Sequence, residues 1–181
     1  DKLQLNDFGF LERNNFNYLR YEIDHRITNL PADSSYASHD FRYAASRRAN
    51  DSGVHIADAV SFDLISELRN GGNDFFEVAA FTPGRDDLVT RGNGVVDVPA
   101  KFYLFYERFT PRKGRWSLYW HARYAAEGLD GPDHGAFEID FNPTYFVNDN
   151  LSFYTELFAQ HNPDWLLWQG GNQLGSFDSD L

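Results

Sequence analysis

The stretch FNYLRYEIDHRI, Phe16–Ile27, decides the fold class. Leu19, Tyr21, Ile23 and Ile27 fall on one side of an extended chain, and Arg20, Glu22, Asp24 and Arg26 on the other. Successive side chains of a strand point to opposite faces, so this is a strand with one apolar and one strongly charged side. His25 is the single misfit on the apolar side.

The same period of two recurs along the chain. Val60, Phe62, Leu64 and Leu68 alternate with Ser61, Asp63, Glu67 and Arg69, and Asn70-Gly71-Gly72-Asn73 then turns the chain into a return strand, Phe75 to Thr82. Gly and Asn accept the positive φ that tight hairpins require. Lys101 to Phe109 (KFYLFYERF) is aromatic on both sides, which leaves its orientation open. Arg112-Lys113-Gly114 turns into Trp116 to Tyr124, where Ser117, Tyr119, His121 and Arg123 form the polar side. After Asp130-Gly131-Pro132-Asp133, Phe137, Ile139, Phe141 and Tyr145 alternate with Glu138, Asp140, Asn142 and Thr144. Pro143 lacks a backbone donor and marks an edge or a bulge there. Asn148-Asp149-Asn150 is a further turn, and a last strand lies around Trp165 to Gln169. Leu30 to Ser52 and Asp86 to Val98 read as loops, the first holding at most one poor strand. The expectation is an all-β, antiparallel, up-and-down meander of about eight strands with no helical period. No composition break divides residues 1–181, which read as a single domain.

Composition excludes several classes of function. Of 181 residues, 27 are acidic and 16 basic, a formal net charge of −11 that repels phosphate, so no nucleic-acid partner is expected. The absence of Cys removes disulfides and thiolate metal sites. Charges interrupt every apolar run well before the ~18 residues of a transmembrane helix. The start at Asp1 and the lack of any Met read as a processed product or an excerpt.

Alternation leaves two architectures open. In a soluble sandwich the apolar faces meet in a core, whereas in an outer-membrane barrel they meet lipid and the polar faces line a lumen. Aromatics near strand ends (Phe16, Tyr18, Trp116, Trp120, Tyr145, Phe146, Trp165, Trp168) match the girdles of a membrane barrel. On that reading Arg20, Glu22, Asp24, Arg26, His121, Arg123, Glu138 and Asp140 face the lumen.

Two segments carry a family resemblance. Asn6-Asp7-Phe8-Gly9-Phe10-Leu11-Glu12-Arg13-Asn14-Asn15 and Asp86-Asp87-Leu88-Val89-Thr90-Arg91-Gly92 resemble, in order and spacing, segments of a large, poorly characterised bacterial family. Its members join a carbohydrate-binding-like N-terminal module to a C-terminal outer-membrane β-barrel region. The resemblance implies a barrel, or a contiguous part of one, in the cell outer membrane of a Gram-negative bacterium. It implies a non-catalytic pore or envelope-complex component, whose partners are outer-membrane lipid, other envelope proteins and carbohydrate. It carries over no catalytic residue.

One motif points to chemistry. Glu138-Ile139-Asp140-Phe141 resembles the start of the Glu-x-Asp-x-x-Glu strand of retaining jelly-roll glucanases, and alternation puts both carboxylates on one face. The third carboxylate is missing, because Asn142 and Pro143 occupy its place. A retaining glycosidase needs a proton donor opposite its nucleophile. The alternative function is therefore a secreted, soluble β-sandwich that binds or hydrolyses carbohydrate, with Glu138 and Asp140 as its catalytic candidates. His25, His39, His55, His121, His134 and His161 are scattered without ligand spacing, so no metal and no cofactor is expected. Asp130–Asp133 and Asn148–Asn150 read as turns rather than calcium loops.

Overall fold

A computed structural model describes residues 16–86, 95–126, 135–161, 164–168 and 174–178. The strands are β1 (Phe16–Ile27), β2 (Tyr36–Asn50), β3 (His55–Leu68), β4 (Asn73–Phe81), β5 (Gly84–Asp86), β6 (Val96–Val98), β7 (Lys101–Lys113), β8 (Trp116–Ala126), β9 (Gly135–Phe146), β10 (Ser152–Tyr154), β11 (Leu157–His161), β12 (Asp164–Trp168) and β13 (Leu174–Asp178). Nine of them form one antiparallel sheet in the order β1-β2-β3-β4-β7-β8-β9-β10, with β11 also on β9. The hairpins β5–β6 and β12–β13 are separate two-stranded sheets. No described residues form a helix long and apolar enough to cross a membrane.

Local chemistry accounts for the turns. Gly71 sits at φ +87°, and Asn70 Oδ1 accepts from Gly72 N at 3.1 Å, closing β3 onto β4. Between β2 and β3, Asn50 Oδ1 accepts from both Ser52 N (3.0 Å) and Val54 N (2.8 Å). A side-chain amide thus takes over backbone donors that the strands leave unpaired. Opposite Pro143 the outermost strand breaks between β10 and β11, and Thr155 N donates to the Pro143 carbonyl at 3.1 Å. Proline has no N–H to offer a ladder, so the interruption falls where pairing is weakest. The Asp130–Asp133 turn and the Asn6–Asn15 segment lie outside the described residues.

Two expectations need correction. Tyr36–Asn50 is a full 15-residue strand, paired to β1 on one side and β3 on the other, not a loop. Its alternation is muted by Ala44, Ala45 and Ser46, and register shifts disturb it near both ends. Pairing on both edges supplies what local pattern does not. The second correction concerns closure. A barrel requires its first strand to pair with its last. Here β1 pairs only with β2, while β10 and β11 pair only with β9, so among the described residues the sheet is open at both edges. An outer-membrane β-barrel with transmembrane β-strands cannot be built from an unclosed sheet, whose edge amides would lie unpaired in hydrocarbon. The barrel fold, the outer-membrane function and the cell-outer-membrane location all depended on that closure, and they fall with it.

Register divides the sheet cleanly. One face carries Leu19, Tyr21, Ile23, Tyr43, Phe62, Leu64, Val78, Leu104, Trp120 and Ile139. Among the described residues nothing covers it, and Tyr21 and Ile23 are each 69% exposed. His25 belongs to this face, its ring edge-on to Phe41 at 6.2 Å. The opposite, polar face is the crowded one. Ala44, Ala79, Ala125, Asp63 and Asn142 are all buried there beneath longer neighbours.

Candidate functional site

Register assembles the polar face into rows running straight across the sheet. Asp24, Arg42, Asp63, Glu77, Phe105, Arg123, Glu138 and Gln160 occupy consecutive paired positions from β1 to β11. One row further along lie Arg26, Asp40, Ile65, Phe75, Glu107, His121, Asp140 and Phe158. All eight residues read as lumen-facing from sequence share this face. Among the described residues the sheet that carries this face does not close around it.

The rows differ in character along their length. Near β1, Arg42 Nε reaches Asp24 Oδ1 at 2.9 Å and Glu22 Oε1 at 3.1 Å, and Arg20 pairs with Glu22 at 2.6 Å. These groups are solvated, and each such pair contributes about 0–1 kcal/mol. In the middle, Asp63 faces Glu77 across β3 and β4. Burial, followed by the neighbouring Glu77 charge, raises the Asp63 carboxyl above the usual range. Tyr103 donates its hydroxyl to Glu77, and burial together with that bond raises the phenol pKa.

The densest network lies on β7, β8 and β9. His121 Nε2–H donates to Glu138 Oε1 at 2.9 Å, and its Nδ1 stands 3.8 Å from Asp140 Oδ2. Tyr119 donates to Glu107 Oε2 at 3.0 Å, and burial, then this bond, pushes its phenol up to about 12. Asn142 donates to Asp140 Oδ2 at 2.8 Å. Three oxygens sealed from solvent on this face, Asp63 Oδ1, Asp140 Oδ1 and Asn142 Oδ1, have no hydrogen-bond partner among the described residues, an exception to the usual pairing of buried acceptors. Aromatic rings flank the network, with Phe105 at 5.5 Å from the His121 ring. Tyr154 and Phe158 stand exposed at the β10–β11 edge.

No family model, curated protein or solved structure matches the chain. The family resemblance drawn from Asn6–Asn15 and Asp86–Gly92 has no support, and its barrel is already excluded by the open strand order. Only Asp86 of these segments lies among the described residues, in β5.

Glu138 and Asp140 do share a face, as alternation requires, but each is held by a neighbour. Asn142, at the next position on that face, supplies an amide where a glucanase carries chemistry on carboxylates. Among the described residues no group of three His, Cys, Asp or Glu side chains is arranged to hold a metal ion. Glu77, Tyr103 and Glu107 join the site although sequence reading did not single them out. For Tyr103 and Glu107 the signal was weak, since β7 is aromatic on both faces and only its pairing with β4 and β8 orients it. A second polar cluster, also unforeseen, interrupts the apolar face. There Tyr36 donates to Asp74 at 2.9 Å, with Arg108 at 3.5 Å from the same carboxylate.

Proposed function

We propose that this chain is a sheet layer of a soluble, secreted β-sandwich whose polar face binds carbohydrate, with the apolar face as its packing side. The polar network of His121, Glu138, Asp140 and Asn142 beside the exposed rings of Tyr154 and Phe158 carries this reading. The Glu138 side chain keeps a quarter of its surface exposed, so sugar hydroxyls would donate to its carboxylate. Neutral polyols suit a surface of paired acids better than anions do, because they supply donors without adding charge. Exposed rings at Tyr154 and Phe158 offer flat apolar surface for the faces of pyranose rings. Binding is favoured over hydrolysis because Glu138 and Asp140 are engaged with His121 and Asn142, so neither is placed as proton donor to a glycosidic oxygen.

The experiment is a calorimetric and NMR titration of the detergent-free folded protein against neutral oligosaccharides, with Asp140→Ala and Asn142→Leu as variants. The reading expects shifts confined to β8, β9, β10 and β11 and a loss of binding of about tenfold or more in either variant. Failure of any saccharide to bind, or a requirement for detergent to keep the chain folded, overturns it. Release of reducing ends that Glu138→Gln abolishes would move the function from binding to hydrolysis.

A further inference from the structure

A second cavity opens on the polar face at the opposite end of β7, away from the His121 network. Its volume is about 300 Å³, and its walls include Arg48, Lys101, Arg123, Tyr103, Phe81 and Val98. That volume is at the lower bound of small-molecule pockets. Three cationic side chains contribute to the wall, and among the described residues no acidic one does. In a chain with a net charge of −11, such a concentration of positive charge is local and specific.

The fold builds this cavity rather than merely leaving it. The β5–β6 hairpin supplies Val98 as one wall. Gly84 brings the hairpin against β3 so closely that a Cβ there would run into the Ile56 carbonyl. Ile56 and Ala57 form the wall on the β3 side, so the glycine sets the width of the opening. The cations are also positioned. The Arg48 guanidinium lies over the Tyr18 ring at 5.3 Å, and Lys101 Nζ lies 5.9 Å from the centre of the Phe81 ring. Stacking of this kind holds a long side chain in place.

We infer that this cavity binds a small oxyanion, a carboxylate or phosphate carried on a compact organic body, through Arg48 and Lys101. Guanidinium groups match both anions by paired N–H donation, and the ammonium adds a compact charge. Phe81 and Val98 give the remainder of the ligand an apolar wall. This inference stands apart from the saccharide reading, since it uses a different cavity and the opposite sign of charge.

The test titrates the full chain with inorganic phosphate, glucuronate and glucose, following backbone NMR shifts at low salt and at ~0.5 M NaCl, where charge attraction is screened. Phosphate or glucuronate should shift Arg48, Ala57, Lys101 and Tyr103 in saturable fashion, weaken in high salt and leave His121 unmoved. Glucose should leave these residues in place. Whichever anion binds more tightly identifies the oxyanion. Lys101→Gln should weaken that anion about tenfold, the loss expected for one charge-assisted hydrogen bond. Arg48→Gln serves as the second variant if Lys101→Gln fails to fold. The inference is overturned if neither anion saturates below ~10 mM, if glucose shifts the same residues equally, or if a folded variant binds as tightly as the parent.

Discussion

His121→Ala tests whether the β7–β9 network is a cooperative unit. The His121 side chain is 14% exposed, Glu138 25% and Asp140 13%, so the two carboxylates are poorly hydrated. His121 donates to Glu138 at 2.9 Å and lies 3.8 Å from Asp140. Removing it deletes one charge-assisted hydrogen bond and leaves two partly buried acids on adjacent outward positions of one strand. A hydrogen bond to a charged group contributes roughly 1.5–3 kcal/mol, so the variant should lose about 2 kcal/mol. For a domain of this size that is about 4–8 °C in melting temperature. Thermal melts followed by circular dichroism at pH 7 measure it. A double-mutant cycle with Glu138→Ala should show coupling on the order of 1–2 kcal/mol, because removing the acid also removes its need for a partner. A His121→Ala melt within about 1 °C of the parent, or strict additivity in the cycle, would refute the reasoning.

Other positions give equally direct outcomes. The raised Asp63 carboxyl binds a proton more readily in the folded than in the unfolded chain, so folding stability falls as pH rises from its ordinary value through the raised one. Asp63→Asn should therefore raise the melting temperature at pH 7 and flatten the profile in that window, as melts from pH 4 to 8 would show. Ala79→Leu on the crowded polar face should lose about 1–3 kcal/mol in urea melts. Gly71→Ala should lose about 1 kcal/mol, because φ +87° strains any residue with a Cβ, and the same urea series reads it. Gly84→Val should lose more than that, with faster amide exchange at Asp58, whose N–H is held by Thr82 Oγ1 at 2.9 Å.

Much of this molecule is legible from local pattern. Phe16–Ile27 is a strand over the whole of its quoted range, with its faces divided as alternation demands. The Asn70–Asn73 turn and the Arg112–Gly114 turn both place glycine at positive φ. Alternation likewise puts Arg20, Glu22, Asp24, Arg26, His121, Arg123, Glu138 and Asp140 on polar faces before any pairing is known. What it hides is equally specific. Small residues blur the strand at Tyr36–Asn50, and rings on both sides of β7 conceal that Tyr103 and Glu107 face the acids. The meeting of Arg48, Lys101 and Arg123 spans three strands and has no local signature at all.

The chain by itself determined most of its turns, most of its strands (Tyr36–Asn50 excepted) and which side chains share a face, because side-chain direction in a strand depends on nearest neighbours alone. Only the tertiary structure decided that polar faces from eight strands align into rows and that, among the described residues, the sheet stops without closing. Alternation is identical in an open sheet and a barrel. The difference is whether β1 meets β10 and β11, a contact between segments more than a hundred residues apart that no local period encodes.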